Sequence, residues 1–416
     1  MTRAVPSLAL INAEIYPFAA PGRASAVLSR DGVVSALGAD KEILAQCSRD
    51  TLVLDMRGAA VLPGFTDAGA DFSAMRTDPA WPVNIRKRLA SLANDGVTLV
   101  QANCGTSQDA AAVMSALRGM EQSATLPLRV MPRFSVSSPD EAERFIAQNP
   151  PGARCGSHLA LGPIDVGLDG FLSDRTAALS SDYSDAPGYR GRLAYDHGEL
   201  FEIVRVAHRA GRSIALRASG DAAIEQAADV FEAVFNVESR MRAAPRHRLT
   251  LCASGNVGQY ERIARLGVSV EIRPGYFICD RPLILSRLGS ERARFAYAWK
   301  TLLQNRILVC AGSASPGVHP SPLRGMTTAT TRRDEAGMPS EGWIPREALD
   351  RAEAFWLYTG GAGEALGLHA ERGTLEPGKA ADMTALTQNP FRIPMKELPN
   401  IEIGMTIVGG RIRKIV

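Results

Sequence analysis

Eight short apolar runs, with helical stretches in the gaps between them, dominate the middle of this chain and leave it few folds to choose from. They fall at residues 61–67, 97–102, 128–132, 162–167, 213–218, 249–253, 268–272 and 307–311. Each is rich in Val, Ile or Leu and too short for a helix, which is how strands buried on both faces read. Strands that alternate with helices pair in parallel, because a parallel neighbour needs a crossover long enough to hold a helix. Eight is the count that closes such a sheet into a (β/α)8 barrel. Local signals place the helices. Ser138-Pro139-Asp140-Glu141 reads as a capping box with proline at the first helical position. Asp221 opens an alanine-rich amphipathic run to Phe235, with the aspartate as its cap, and 345–358 gives another helix.

Towards the ends the pattern changes to strands joined by turns. Residues 8–15, 26–29, 33–36 and 52–55 read as strands near the start. Residues 373–383 and 407–412 read the same way near the end, linked by glycine turns.

The 416 residues, 45% of them hydrophobic, can fill one large core and a small satellite. The formal net charge of +3 is spread along the chain without a basic run, which argues against nucleic acid or a membrane surface as partner. Six cysteines at scattered positions show neither a CxxC pair nor a disulfide framework, as expected of a reduced cytoplasmic protein. No signal-peptide core follows Met1, and no apolar run is long enough for a bilayer. The expected partner is a small molecule, with self-association into a homo-oligomer left open.

Chemistry in a parallel barrel sits at the C-terminal ends of the strands. The first of these, Val61-Leu62-Pro63-Gly64-Phe65-Thr66-Asp67-Ala68-Gly69-Ala70-Asp71, resembles the opening barrel strand of the amidohydrolase superfamily. There the family reads Pro-Gly-Phe-Ile-Asp-x-His-x-His, two metal-binding histidines on one face of a strand. Further blocks resemble amidohydrolase family 3. Residues 161–177, containing Asp169-Gly170-Phe171 and Ser173-Asp174-Arg175-Thr176-Ala177, match its Asp-Gly-Ser-Leu-Gly-Ser-Arg-Thr-Ala block, and 185–191 continue the match. Leu216-Arg217-Ala218-Ser219-Gly220-Asp221 is similar to Ile-His-Ala-Ile-Gly-Asp. Arg246-His247-Arg248-Leu249-Thr250-Leu251-Cys252-Ala253 is similar to Arg-His-Arg-Ile-Glu-His-Ala-Gln, and Ala311-Gly312-Ser313-Ala314-Ser315-Pro316 to Gly-Ser-Asp-Ala-Pro. The resemblance implies a barrel over 61–373 beside one small β-sandwich built from 1–60 and 374–416. It also implies a hydrolase of carbon–nitrogen bonds by descent. The long insertion that family 3 carries after its first strand is absent, so no family substrate carries over.

Within these frames every slot for a metal ligand or its base has changed: Gly69, Asp71, Asp165 (the family's lysine), Arg217, Leu251 and Ala314. A guanidinium is always protonated and would repel a cation, so no metal cofactor is expected. Asp71, Asp165 and Arg217 are the candidate catalytic set, expected to converge at the mouth. Arg217 would either hold an anionic group or neutralise Asp71 or Asp165 as a structural ion pair. Glu271 and Arg273 point the same way from the seventh strand, with Arg273 at the rim. Asp169, Arg175 and His319 complete the candidate substrate contacts. Cys104 and Cys252 lack an adjacent histidine, and His158, His197, His208, His247 and His369 lack ligand spacing. Three readings follow: a metal-independent enzyme acting on a small polar or anionic molecule by hydrolysis, cyclisation or elimination; a non-catalytic protein that binds a ligand or partner subunit; and a metallohydrolase with displaced ligands such as Asp71, Asp165 and His319.

Overall fold

The computed structural model describes residues 5–19, 24–78, 80–151, 156–239, 245–313 and 321–415. Six strands come first: β1 (Leu8–Ile11), β2 (Glu14–Ile15), β3 (Ala26–Arg30), β4 (Val33–Gly38), β5 (Leu52–Asp55) and β6 (Ala60–Pro63). Eight more follow: β7 (Phe65–Asp71), β8 (Val97–Thr106), β9 (Arg129–Ser135), β10 (Ile164–Gly167), β11 (Ile214–Ala218), β12 (Arg248–Leu251), β13 (Ser269–Ile272) and β14 (Val309–Ala311). The chain closes with β15 (Met383–Leu386), β16 (Ile403–Val408) and β17 (Arg411–Ile415).

Strands β7 to β14 lie side by side in chain order, every hydrogen-bonded pair parallel, in a nearly closed eight-stranded barrel. Two glycines make the remaining seam possible. A Cβ on Gly312, just past β14, would lie 2.5 Å from the backbone of Gly69 in β7, so neither strand end could approach the other with a side chain in the way. Asp67 buttons the seam. Its buried carboxylate accepts the N–H of Gly69 (3.1 Å), the N–H of Ser313 (2.9 Å) and the hydroxyl of Ser313 (2.5 Å). Burial pushes this carboxyl up, and the bonds from Ser313 and Gly69 oppose that.

The apolar run at 61–67 is two strands, not one. Ala60–Pro63 pairs antiparallel with β15, and the barrel strand begins at Phe65. Gly64 is the pivot: a Cβ there would sit 2.2 Å from the Thr98 side chain. Strands from the two ends of the chain share a five-stranded sheet, ordered β17-β16-β15-β6-β2, while β4-β3-β1-β5 form a second sheet from the first part alone. Leu8, Leu10, Val27, Val61, Met383 and Ile407 meet in one buried cluster between the sheets. Residues 373–382 form turns, and the strand expected there starts only at Met383.

One buried ion pair ties this sheet to the barrel. Asp382, immediately before β15, receives Nε and Nη2 of Arg129 at 2.8 and 3.0 Å, with Arg372 at 3.5 Å. It also accepts the Gly409 N–H at 2.7 Å. Burial alone would raise the Asp382 carboxyl, but the two guanidiniums and the backbone bond hold it below the usual carboxylate range.

Three local expectations change. The helix expected over 345–358 is a short 3₁₀ turn, Pro345–Glu347, and a separate helix, Arg351–Leu357, which Asp350 caps. Asp221 is the first residue of the helix Asp221–Val237 and not its cap; its carboxylate accepts the N–H of Ser180 at 3.1 Å and the Ser180 hydroxyl. Ser138 does cap the helix Pro139–Gln148, but Glu141 reaches the N–H of Ser137 instead of closing the box on Ser138. His208 and His247, though far apart in sequence, are buried together with Nδ1 of one 2.8 Å from Nε2 of the other, packed on Phe231 and Phe235. Burial lowers the His247 imidazole to about 3, so the pair is neutral.

Asp382→Ala leaves Arg129 and Arg372 without their shared carboxylate. Denaturant unfolding should report a loss of about 3–5 kcal/mol, the usual cost of half a buried ion pair. A loss below about 1 kcal/mol would show that this tie does not hold the sheet to the barrel.

Candidate functional site at the barrel mouth

Inside the barrel, one carboxylate organises the charge. Glu271, fully buried on β13, has Arg133 Nη1 at 2.9 Å, Arg273 Nε at 2.9 Å and Arg248 Nε at 3.6 Å. Burial alone would push the Glu271 carboxyl up; the three guanidiniums outweigh it and hold the group below its ordinary value. Arg133, equally buried, also lies 3.7 Å from Asp165, and against the opposing effect of burial the two carboxylates hold its proton more firmly than usual. Arg248 continues to the amide oxygen of Gln101.

This cluster explains the glycine at position 69. A Cβ on Gly69 would fall 2.0 Å from a Glu271 carboxylate oxygen and 3.2 Å from Arg273 Nε. Glu271 therefore occupies the space into which a side chain at 69 would project.

Arg217, on β11, does not pair with Asp71 or Asp165. Its Nη2 donates to the backbone carbonyl of Asp169 at 3.0 Å, its guanidinium lies 5.1 Å from the centre of the Phe171 ring, and its Nε has no hydrogen-bond partner among the described residues. Phe171 stacks on Tyr276 at 5.3 Å, and Arg273 lies 6.0 Å over Tyr276. Two guanidiniums thus flank a pair of stacked rings.

The other candidates separate by environment. Arg273 is buried, 6% exposed, rather than standing at an open rim. Asp71, at the end of β7, accepts the N–H (2.9 Å) and hydroxyl (2.6 Å) of Ser73. Asp169 is a loop clamp: its carboxylate accepts the N–H groups of Ala178, Ser219 and Gly220 at 2.8–2.9 Å. Burial still raises that carboxyl to about 6. Arg175 is half-buried and pairs with Asp185 at 3.0 Å. Asp185 also binds Arg287, which anchors the long loop after β10 to the helix Pro274–Ala293. His319 and Ala314 lie outside the described residues. Burial pushes the Cys104 thiol up to about 12 and raises Cys252 further, so neither is an activated nucleophile. At the end of β12, Leu251 (φ 78°) and Cys252 (φ 48°) are both left-handed, a conformation that costs non-glycine residues about 1–3 kcal/mol each.

The side chains gathered here suit an anion better than a metal. Guanidiniums have no lone pair to offer, and three of them, Arg133, Arg248 and Arg273, close around the single carboxylate of Glu271. Among the described residues no three His, Cys, Asp or Glu side chains are grouped to share an ion. These residues do not fit a divalent cation.

Sequence reasoning had missed Arg133 and passed over Arg248. The available signal was charge at alternate positions of strands that are otherwise apolar, which in a barrel must face inwards.

A parallel eight-stranded barrel with flanking sheets that draw on both chain ends also defines this chain's relatives. The pattern of the Amidohydrolase family matches residues 83–413, and the chain belongs to that family. It is 32% identical over 259 residues to the putative amidohydrolase YtcJ of Bacillus subtilis (strain 168), covering 62% of this chain and 48% of that protein. To the N-substituted formamide deformylase of Arthrobacter pascens it is 28% identical over 224 residues, covering 54% and 40%. The chain spans about half the length of the curated relatives it matches. Among solved structures it superposes on an uncharacterised metal-dependent hydrolase from Pyrococcus horikoshii with a TM-score of 0.80 at 20% identity, over 94% of this chain and 99% of that one. On the Aspergillus niger ochratoxinase the TM-score is 0.68 at 15% identity, over 100% and 97%. Likeness at this level of identity concerns the fold.

Two substitutions test the cluster. Gly69→Ala should destabilise the protein by about 2 kcal/mol or more, since Glu271 has to move from its three partners. Glu271→Gln should be destabilised at neutral pH, and its deficit relative to wild type should shrink as pH falls below about 4.5. The folded-state value of Glu271 lies below its unfolded one, so its contribution is complete above the unfolded value and disappears as pH drops through the folded one. A deficit independent of pH, measured by denaturant unfolding, would assign the effect to packing instead of charge.

Proposed function

We propose that this amidohydrolase-family protein binds a small anionic molecule at the barrel mouth without a metal, Arg217 gripping its negative group while Asp71 and Asp165 provide acid–base chemistry. The observation that carries this reading is the state of Arg217. It forms no ion pair with a carboxylate among the described residues, although its charge helps hold down the nearby Asp169 carboxyl, and it has a free Nε and a ring face beside it. A structural counter-ion would be paired. A guanidinium positioned this way can bind a carboxylate or stabilise an oxyanion as it develops. The loss of the metal centre is supported by Glu271, whose carboxylate and three guanidiniums take the space at Gly69. The cysteines among the described residues are all unpaired, which supports the cytoplasm as the place of action.

A second reading, a ligand-binding protein without catalysis, is favoured by the bonds that already occupy Asp71 and Asp165. The two readings share the binding step and differ at turnover.

Arg217→Met should weaken binding of a small carboxylate or phosphate ester at the mouth by about 2–5 kcal/mol, with thermal unfolding close to that of wild type because Arg217 is in no ion pair and the Asp169 carboxylate keeps its three backbone N–H bonds. Strong destabilisation with unchanged affinity per folded molecule would make Arg217 structural. Asp71→Asn and Asp165→Asn, assayed against carbon–nitrogen and ester substrates, separate enzyme from binder: turnover that survives both removes these carboxylates from the chemistry. Elemental analysis should find no stoichiometric Zn, Mn, Fe or Ni. One metal per chain, removed by a chelator with loss of function, would favour displaced ligands including His319.

A further inference from the structure

The opposite end of the barrel holds a second concentration of positive charge. A cavity of about 130 Å³ opens at the N-terminal ends of the strands, between the segments that lead into β10, β11 and β12. That volume is room for a compact ion. Arg212, Arg246 and Arg248 line it, with Gln101.

Arg212 is the unusual member. It is 6% exposed, yet no carboxylate lies within ion-pairing distance among the described residues. Among the described residues its only acceptors are the backbone carbonyls of Gly162, at 3.5 Å, and Asn149, and its Nε has none. Burial lowers its proton affinity with no opposing carboxylate, so the charge is held there at a cost. Arg246 is exposed and likewise has no acidic partner among the described residues. Arg248, 3% exposed, shares Glu271 with Arg133 and Arg273 and adds a partly compensated third charge. A neighbouring cavity of about 210 Å³ also uses Arg212, but its other guanidiniums, Arg129 and Arg372, are paired with Asp382 and Glu371. Arg212 borders both cavities, but only the smaller one adds Arg246, a second guanidinium with no acidic partner among the described residues.

We propose that this cavity is a binding site for a small oxyanion, phosphate or a carboxylate group, held between Arg212 and Arg246. Planar guanidiniums converging on a compact space match such anions in geometry as well as charge, and a bound anion would supply the partner that Arg212 lacks.

Isothermal titration calorimetry at constant ionic strength, with chloride as the control salt, tests the site on the full chain. Inorganic phosphate and acetate are titrated separately, and the tighter of the two identifies the preferred head group. In Arg217→Met, which removes the guanidinium proposed to bind anions at the mouth, saturable binding of either at one site per chain is expected. Arg246→Gln and Arg212→Gln should each weaken it about tenfold to a hundredfold, the loss of a charged hydrogen bond. Arg246 is exposed, so its variant keeps the fold even if Arg212→Gln does not. The proposal is overturned if neither anion binds above the chloride control. It is equally overturned if both floor variants bind normally, or if binding disappears in Arg217→Met, which would place the anion at the mouth.

Discussion

Glu271 is the group around which the barrel interior is arranged. A lone carboxylate there would carry a desolvation cost of several kcal/mol, and the three guanidiniums that offset it come from β9, β12 and from β13's own edge. Each partner constrains something else. Arg133 extends the charge to Asp165; Arg248 reaches the barrel floor; Arg273 reaches Tyr276. The carboxylate itself fills the volume next to Gly69, and that glycine, with Gly312, lets β7 and β14 come together. Buried ion pairs are seldom worth more than a well-packed apolar core of the same volume. What this one supplies is a fixed arrangement of four charges in a small space.

The balance of those charges decides what the mouth can attract. Pairing consumes Glu271 and Asp165 against Arg133, Arg248 and Arg273, while Arg217 remains outside the cluster on an aromatic face. Arg217, with no carboxylate within ion-pairing distance among the described residues, is a local surplus of positive charge. In water such a surplus is screened within about 10 Å, but between barrel walls and stacked rings it is screened far less.

The architecture was readable in the sequence because parallel strands buried on both faces leave continuous apolar runs, and seven of the eight runs overlap a barrel strand cleanly. The eighth misled because Val61-Leu62-Pro63 and Phe65 are equally apolar while belonging to different sheets; only Gly64, pressed on Thr98, marks the break. The partners of the ions were not readable. Arg133 follows Pro132, which made the strand seem to end early, and nothing local says that Arg133, not Arg217, meets Asp165. His208 and His247 show the same limit, since 38 intervening residues separate two rings that pack together. Strand periodicity is a property of neighbours along the chain. Ion pairing across a barrel is a property of closure.

The two ends of the barrel are joined by the same carboxylate. Arg248 contacts Glu271 from the floor side, and Arg273 contacts it beside the ring pair that carries on to Arg217. Unit charges about 4 Å apart interact by about 4 kcal/mol at the effective dielectric of a protein site, so neither guanidinium can change partner without altering the hold on the other. An anion that drew Arg248 away would leave Glu271 to Arg133 and Arg273 and tighten both on it. In this chain, then, the charged residues of floor and mouth are connected through one buried negative charge.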